Sequence, residues 1–93
     1  MAQDAGVRSI PELRQFGTTL NQASVALSTL FHQLNGQMHQ VCDSWNDDKA
    51  RSFSNDFERS KAEMDKVAQE MQQFSTYILR SCEILEQYQN LRR

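Results

Sequence analysis

The sequence predicts an all-α fold: an antiparallel two-helix hairpin that associates into a four-helix bundle dimer. Three observations predict it. Apolar residues recur at alternating steps of four and three along both halves of the chain. Breakers are scarce, with one proline and three glycines in 93 residues, whereas an all-β chain needs a turn roughly every 8–12 residues. The periodicity loses its phase once, at the middle, beside the only tryptophan, in the stretch CDSWNDDKARSF.

The first element is a helix over about residues 9–44. Leu13, Leu20, Leu27, Leu34 and Val41 form one row at intervals of seven, labelled d. Gly17, Ser24, Phe31, Met38 and Trp45 form the companion row, a. Together they make the narrow stripe of a helix that packs on another helix. Ser9 suits the N-cap, with Glu12 at the capping-box position. Pro11 falls in the first turn, where a missing N–H costs little.

The second element is a turn over about residues 45–48. The step from Trp45 to Phe53 is eight residues, so the two patterns do not join in register. Asn46 or Asp47 can cap the following helix, and Asp47 and Asp48 suit the positive end of its dipole. Trp45, just before the cap, is placed to staple the incoming chain, with Ala50 and Phe53 as its expected contacts.

The third element is a helix over about residues 48–91. Phe53, Ser60, Val67, Phe74, Ser81 and Tyr88 form its d row; Phe57, Met64, Met71, Ile78 and Leu85 form its a row. The a and d rows of both helices are expected to form the seam. Gly17 and Ser24 are expected to face the neighbourhood of Phe74 and Tyr77, small against large.

One stripe per helix is rarely enough to offset the ordering entropy of a chain this size. The g rows supply a second apolar surface: Phe16, Ala23 and Leu30 on the first helix, Tyr77, Ile84 and Leu91 on the second. In an antiparallel pair these six fall on one side, at the open end of the hairpin, and predict a dimer interface there. The other side, with Arg14, Asn21, Ser28, Asn35, Ser54, Lys61 and Ser75, reads as polar and outward. The first helix carries no formal charge from Gln15 to Cys42, counting His as neutral. Such a face docks without the desolvation cost of charges, or is simply solvated.

The net charge of −2 and the lack of a basic cluster argue against nucleic acid as a partner. No apolar run approaches the roughly 20 residues that a membrane-spanning helix needs. The opening MAQDAGVRSI lacks a basic stretch followed by an apolar core, so no cleavable signal peptide is expected. Cys42 lies near the turn and Cys82 near the open end, too far apart for a bridge within one hairpin, so free thiols are expected. His39, Cys42 and Asp43 have ligand-like spacing, but one chain does not assemble four ligands, so no metal or cofactor is expected. Met38, Met64 and Met71 fit the seam. No nucleophile–base arrangement, phosphate loop or deep pocket is in view, and an enzyme is not expected.

The turn resembles that of the WXG family, the small helical hairpins of type VII (Esx) secretion. The resemblance rests on the length, the hairpin and the midpoint motif WNDDKARSF, in which Trp45, Ala50 and Phe53 match the family layout and Asp47 stands in place of the motif glycine. It implies protein–protein binding: a homodimer, or a heterodimer with a sister protein, acting as a secreted substrate, co-secreted partner or adaptor, with a larger effector or secretion component as a further partner. It also implies secretion without a cleavable signal peptide, or a cytoplasmic stay before export. It lends Trp45 and its turn a role in presenting a recognition surface. The family's export pattern, Tyr-x-x-x-Asp/Glu, is not met: Ser81 follows Tyr77 and Arg92 follows Tyr88. The rival readings are a non-secreted coiled-coil adaptor or assembly subunit, and a needle-type subunit, whose turn would favour proline.

Overall fold

In the computed structural model, which describes residues 9–91, α1 spans Ile10–Ser44 and α2 spans Asp48–Leu91. The two helices pack along their length as an antiparallel hairpin of about 68 × 20 × 14 Å. Ser9 starts α1: its backbone is extended and its hydroxyl accepts the Glu12 N–H at 3.2 Å. Pro11 lies in that first turn. The last backbone bond of α1 runs from the Trp45 N–H to the Val41 carbonyl, 2.8 Å. Cys42 and Cys82 are free thiols.

The seam does not follow the a and d rows. On α2 it is built from a and e; on α1 the a row is buried, with Leu13 and Leu20 of the d row packed against it. On α1 the buried residues are Ile10, Gly17 and Ser24; on α2 they are Ala50, Ala68, Ser75, Ile78 and Cys82. Phe31 and Phe57, both on a, stack inside the seam with ring centroids 6.0 Å apart. The d residues Leu34, Val41, Phe53, Val67, Phe74 and Tyr88 stay exposed.

Side-chain size explains the rotation. Gly17 meets Ser75 and Ser24 lies beside Ala68, while Cys82 packs against Ile10, and small residues let two backbones approach closely. A large side chain on the d row cannot enter a gap that narrow, so it lies at the edge. The Ser75 hydroxyl donates to the Gly17 carbonyl at 2.6 Å, deep in the seam. A β-carbon at Gly17 would lie 2.9 Å from Ile78 Cγ2 and 3.0 Å from Leu79 Cδ2. Gly17 therefore faces Ser75, Ile78 and Leu79, not Phe74 and Tyr77.

The e row corrects a second expectation. Arg14, Asn35, Ser54 and Lys61 are half-buried along the seam and Ser75 is wholly inside it. Arg14 pairs with Glu86 at 2.6 Å and Gln72 reaches Asn21 at 3.5 Å across the two helices. These polar residues belong to the join between the helices, because they are small enough, or long enough, to sit beside it without forcing it open.

Gly36 gives the contrast to Gly17, since a β-carbon there meets nothing within 4 Å. Gly36→Ala is expected to stabilise the hairpin by about 0.5–1 kcal/mol through helix propensity. Gly17→Val is expected to destabilise it by about 1–3 kcal/mol through overpacking. Urea denaturation followed by circular dichroism checks both; equal effects at the two sites would refute the close approach at Gly17.

Candidate binding face and turn

In an antiparallel pair, equivalent rows of the two helices fall on the same side. With a and e turned inward, the d and g rows of both helices make one face. A single groove near the turn shows this directly: Leu34, Gln37, Met38 and Val41 of α1, Trp45, and Phe53 and Phe57 of α2 line it together. A second groove of mixed character is lined by Val25, Ser28, His32, Lys61, Asp65 and Ala68.

The six residues read from the sequence as an interface all lie exposed. Phe16 and Leu30 are half exposed, Tyr77 is 66% exposed, Ile84 59%, and Ala23 and Leu91 are open as well. Phe74 and Tyr77 stack on each other at 6.2 Å while both remain open to solvent. The apolar surface is not confined to the open end. Val67, Phe74 and Tyr88, then Leu34, Val41, Trp45 and Phe53 at the turn, continue it along the whole hairpin. Periodicity had assigned most of these to the seam. The signal that separates them is size: most of the buried positions hold Gly, Ala, Ser or Cys, whereas the large residues of the outer rows, such as Phe74, Tyr77 and Ile84, stay exposed.

The turn is organised by Asp47. One carboxylate oxygen accepts the Ala50 N–H at 2.8 Å, which caps α2. The other accepts the indole N–H of Trp45 at 3.1 Å. The Asp47 carbonyl takes the first helical bond of α2, from the Arg51 N–H at 3.1 Å. Arg51 also donates to the Asn46 carbonyl at 2.5 Å and pairs with Asp48. Ala50 is fully buried beneath this turn, and Phe53 is 55% exposed one helical turn further on. The ring of Trp45 is thus held by its edge and stands half exposed beside Phe53 in the groove.

His39 sits 3.7 Å from Glu58, and the Cys42 sulfur contacts the Met38 sulfur at 3.8 Å. Among the described residues no group of three His, Cys, Asp or Glu side chains is placed to hold a metal ion. Among them, too, no helix is long and apolar enough to cross a membrane.

This geometry defines a class: small all-α hairpins whose candidate site is a helix face rather than a pocket. The family model WXG100, proteins of 100 residues with WXG, matches residues 9–89, and the chain belongs to that family of small helical proteins associated with type VII secretion. Its members typically dimerise and are not known as enzymes. No curated protein and no solved structure matches the chain.

Asp47→Ala removes the cap and the indole acceptor together. It is expected to cost about 1–2 kcal/mol and to shift the fluorescence of Trp45, the only tryptophan. Asp47→Asn, which keeps an acceptor oxygen, should cost less. An unchanged emission spectrum in Asp47→Ala would show that the carboxylate does not hold the ring.

Proposed function

We propose that this protein acts by binding a second helical hairpin through its d and g face, either its own copy or a sister protein, to form a four-helix bundle. The bundle then serves type VII secretion as a substrate, a co-secreted partner or an adaptor. The observation that carries this reading is the set of large apolar side chains exposed along one side of the hairpin, from Phe16, Tyr77 and Ile84 at the open end to Trp45 and Phe53 at the turn. Exposed apolar patches of this extent mark interaction sites, and burying each such side chain is worth roughly 1.5–3 kcal/mol. Packing two such faces together supplies the core that the small-residue seam lacks. Family membership supports the secretion setting.

The turn contributes to the same surface. The resemblance to the Trp-x-Gly turn places Asp47 where that pattern has glycine. A glycine there would leave the indole without this acceptor, whereas Asp47 holds Trp45 in one orientation. We assign Trp45 and Phe53 to the turn end of the binding face, and Phe16, Ala23, Leu30, Tyr77, Ile84 and Leu91 to its open end.

Phe74→Glu combined with Ile84→Glu tests the face, because both side chains are exposed in the hairpin and their loss leaves its seam intact. Association measured by sedimentation equilibrium, with itself or with a co-expressed sister hairpin, is expected to weaken at least about 100-fold. Helix content should be kept. Culture supernatants from strains with and without the secretion ATPase check the export role. Undiminished association of the double variant would remove the face from the function.

A further inference from the structure

The two halves of the hairpin are closed by different means. Every buried residue of α1 lies at or before Ser24, and every buried residue of α2 except Ala50 lies at or after Ala68. The hydrogen bonds from Ser75 to Gly17, from Gln72 to Asn21 and from Arg14 to Glu86 cross the seam in that same open half. From Val25 to Val67, Ala50 is the one buried residue. Phe31 and Phe57 meet across the seam there, and both are only half-buried. Beyond them His39 faces Glu58 at 3.7 Å, with each side chain more than half exposed.

Two neighbours in α1 mark the boundary between the halves. Gly36 is exposed in the helix interior, and a β-carbon there meets nothing within 4 Å, so packing does not call for glycine. Glycine regains more backbone freedom on unfolding than any other residue. Asn35 beside it holds a buried side-chain oxygen with no hydrogen-bond partner among the described residues. Opening hands that oxygen to water and relieves the cost of hiding it. The bonds of the turn, Asp47 with Trp45 and Ala50 and Arg51 with Asn46, join near neighbours in sequence, so they form and break with the turn itself. Proteins open locally in cooperative units, and units with few buried contacts open most readily.

We infer that the segment from Gly36 through the turn to Phe57 opens as a unit of its own while the open half stays paired, with the stack of Phe31 on Phe57 as the latch between them. The groove near the turn takes Leu34, Met38 and Val41 from α1 and Phe53 and Phe57 from α2. It therefore exists only while this unit is closed. The groove is a gated site, and whatever seats in it draws on the closed population. This holds whether or not a second hairpin covers the outer face.

Native-state hydrogen exchange of the full chain, read amide by amide by NMR, tests the inference. After correction for intrinsic rates, helical amides between Gly36 and Phe57 are expected to exchange at least about tenfold faster than those around Gly17 and Ser75. Ile78→Val loosens the tight half alone. It is expected to speed exchange in that half about fivefold and to leave the turn half unchanged. Gly36→Ala is expected to slow the turn half about fivefold, and the open half with it, since global unfolding includes the turn. Circular dichroism confirms that both variants keep their helices. Equal protection in the two halves, or an Ile78→Val effect of the same size in both, would overturn the inference, because the hairpin would then open as one.

Discussion

The close approach of the two helices at Gly17 is the constraint on which the rest of the structure depends. The Ser75 hydroxyl reaches the Gly17 carbonyl at 2.6 Å, which requires nearly bare backbone on one side and a short side chain on the other. Once the helices stand that near, most of the side chains that fit between them are small: Gly17, Ser24, Ala68, Ser75 and Cys82, with Ile10 and Ile78 as the large aliphatics buried there. Phe16, Phe53, Phe74, Tyr77 and Tyr88, with Leu30, Leu34 and Leu91, find no room inside. Their exposure is therefore a consequence of the seam's geometry, and the binding face and the seam are two results of one choice of residue size.

That arrangement makes the hairpin a weak unit by itself. The side chains it hides are small and release little apolar surface from water, while each long helix carries its full ordering entropy. Ion pairs such as Arg14 with Glu86 add little, because both side chains are about 40% exposed or more. A chain of this kind gains stability by mass action from whatever covers its outer face. Binding and folding are then linked: a partner that buries Phe74, Tyr77 and Ile84 stabilises the hairpin that presents them.

The parts of this architecture governed by local chemistry were legible in the sequence. Ser9 with Pro11 and Glu12 marks a helix start, and Asp47 after a phase break marks another, because caps and turns are decided by a few neighbouring groups. The choice of seam was less legible. Rows a, d and g all hold apolar residues, so a period of three and four cannot say which two rows close the hairpin. The e row looked polar because Arg14, Asn21, Lys61 and Ser75 itself read as outward, although Ser75 joins Ala68 and Cys82 in the seam. A comparison of residue volume between rows, with Gly17 and Ser24 opposite a run of Ala, Ser and Cys, contains the answer that hydrophobicity alone conceals. The length of the outer face followed from that same misplacement, since the d residues counted as core are the ones that extend it to the turn.

The turn closes the argument at the other end of the molecule. An antiparallel pair needs its helices set at a defined angle, and small residues at the open end cannot set it near the turn. Asp47 does so with one side chain: the oxygen that caps α2 is rigidly joined to the oxygen that holds the Trp45 indole. Ala50, buried beneath this turn, allows α2 to begin close against α1, as Gly17 does at the far end. Small residues thus bracket the seam at both ends. The exposed large ones, from Tyr77 and Phe74 through to Trp45 and Phe53, are aligned on one side by the same two constraints. A cap that let Trp45 swing would not only loosen the turn; it would interrupt the apolar face at the point where α1 hands it to α2.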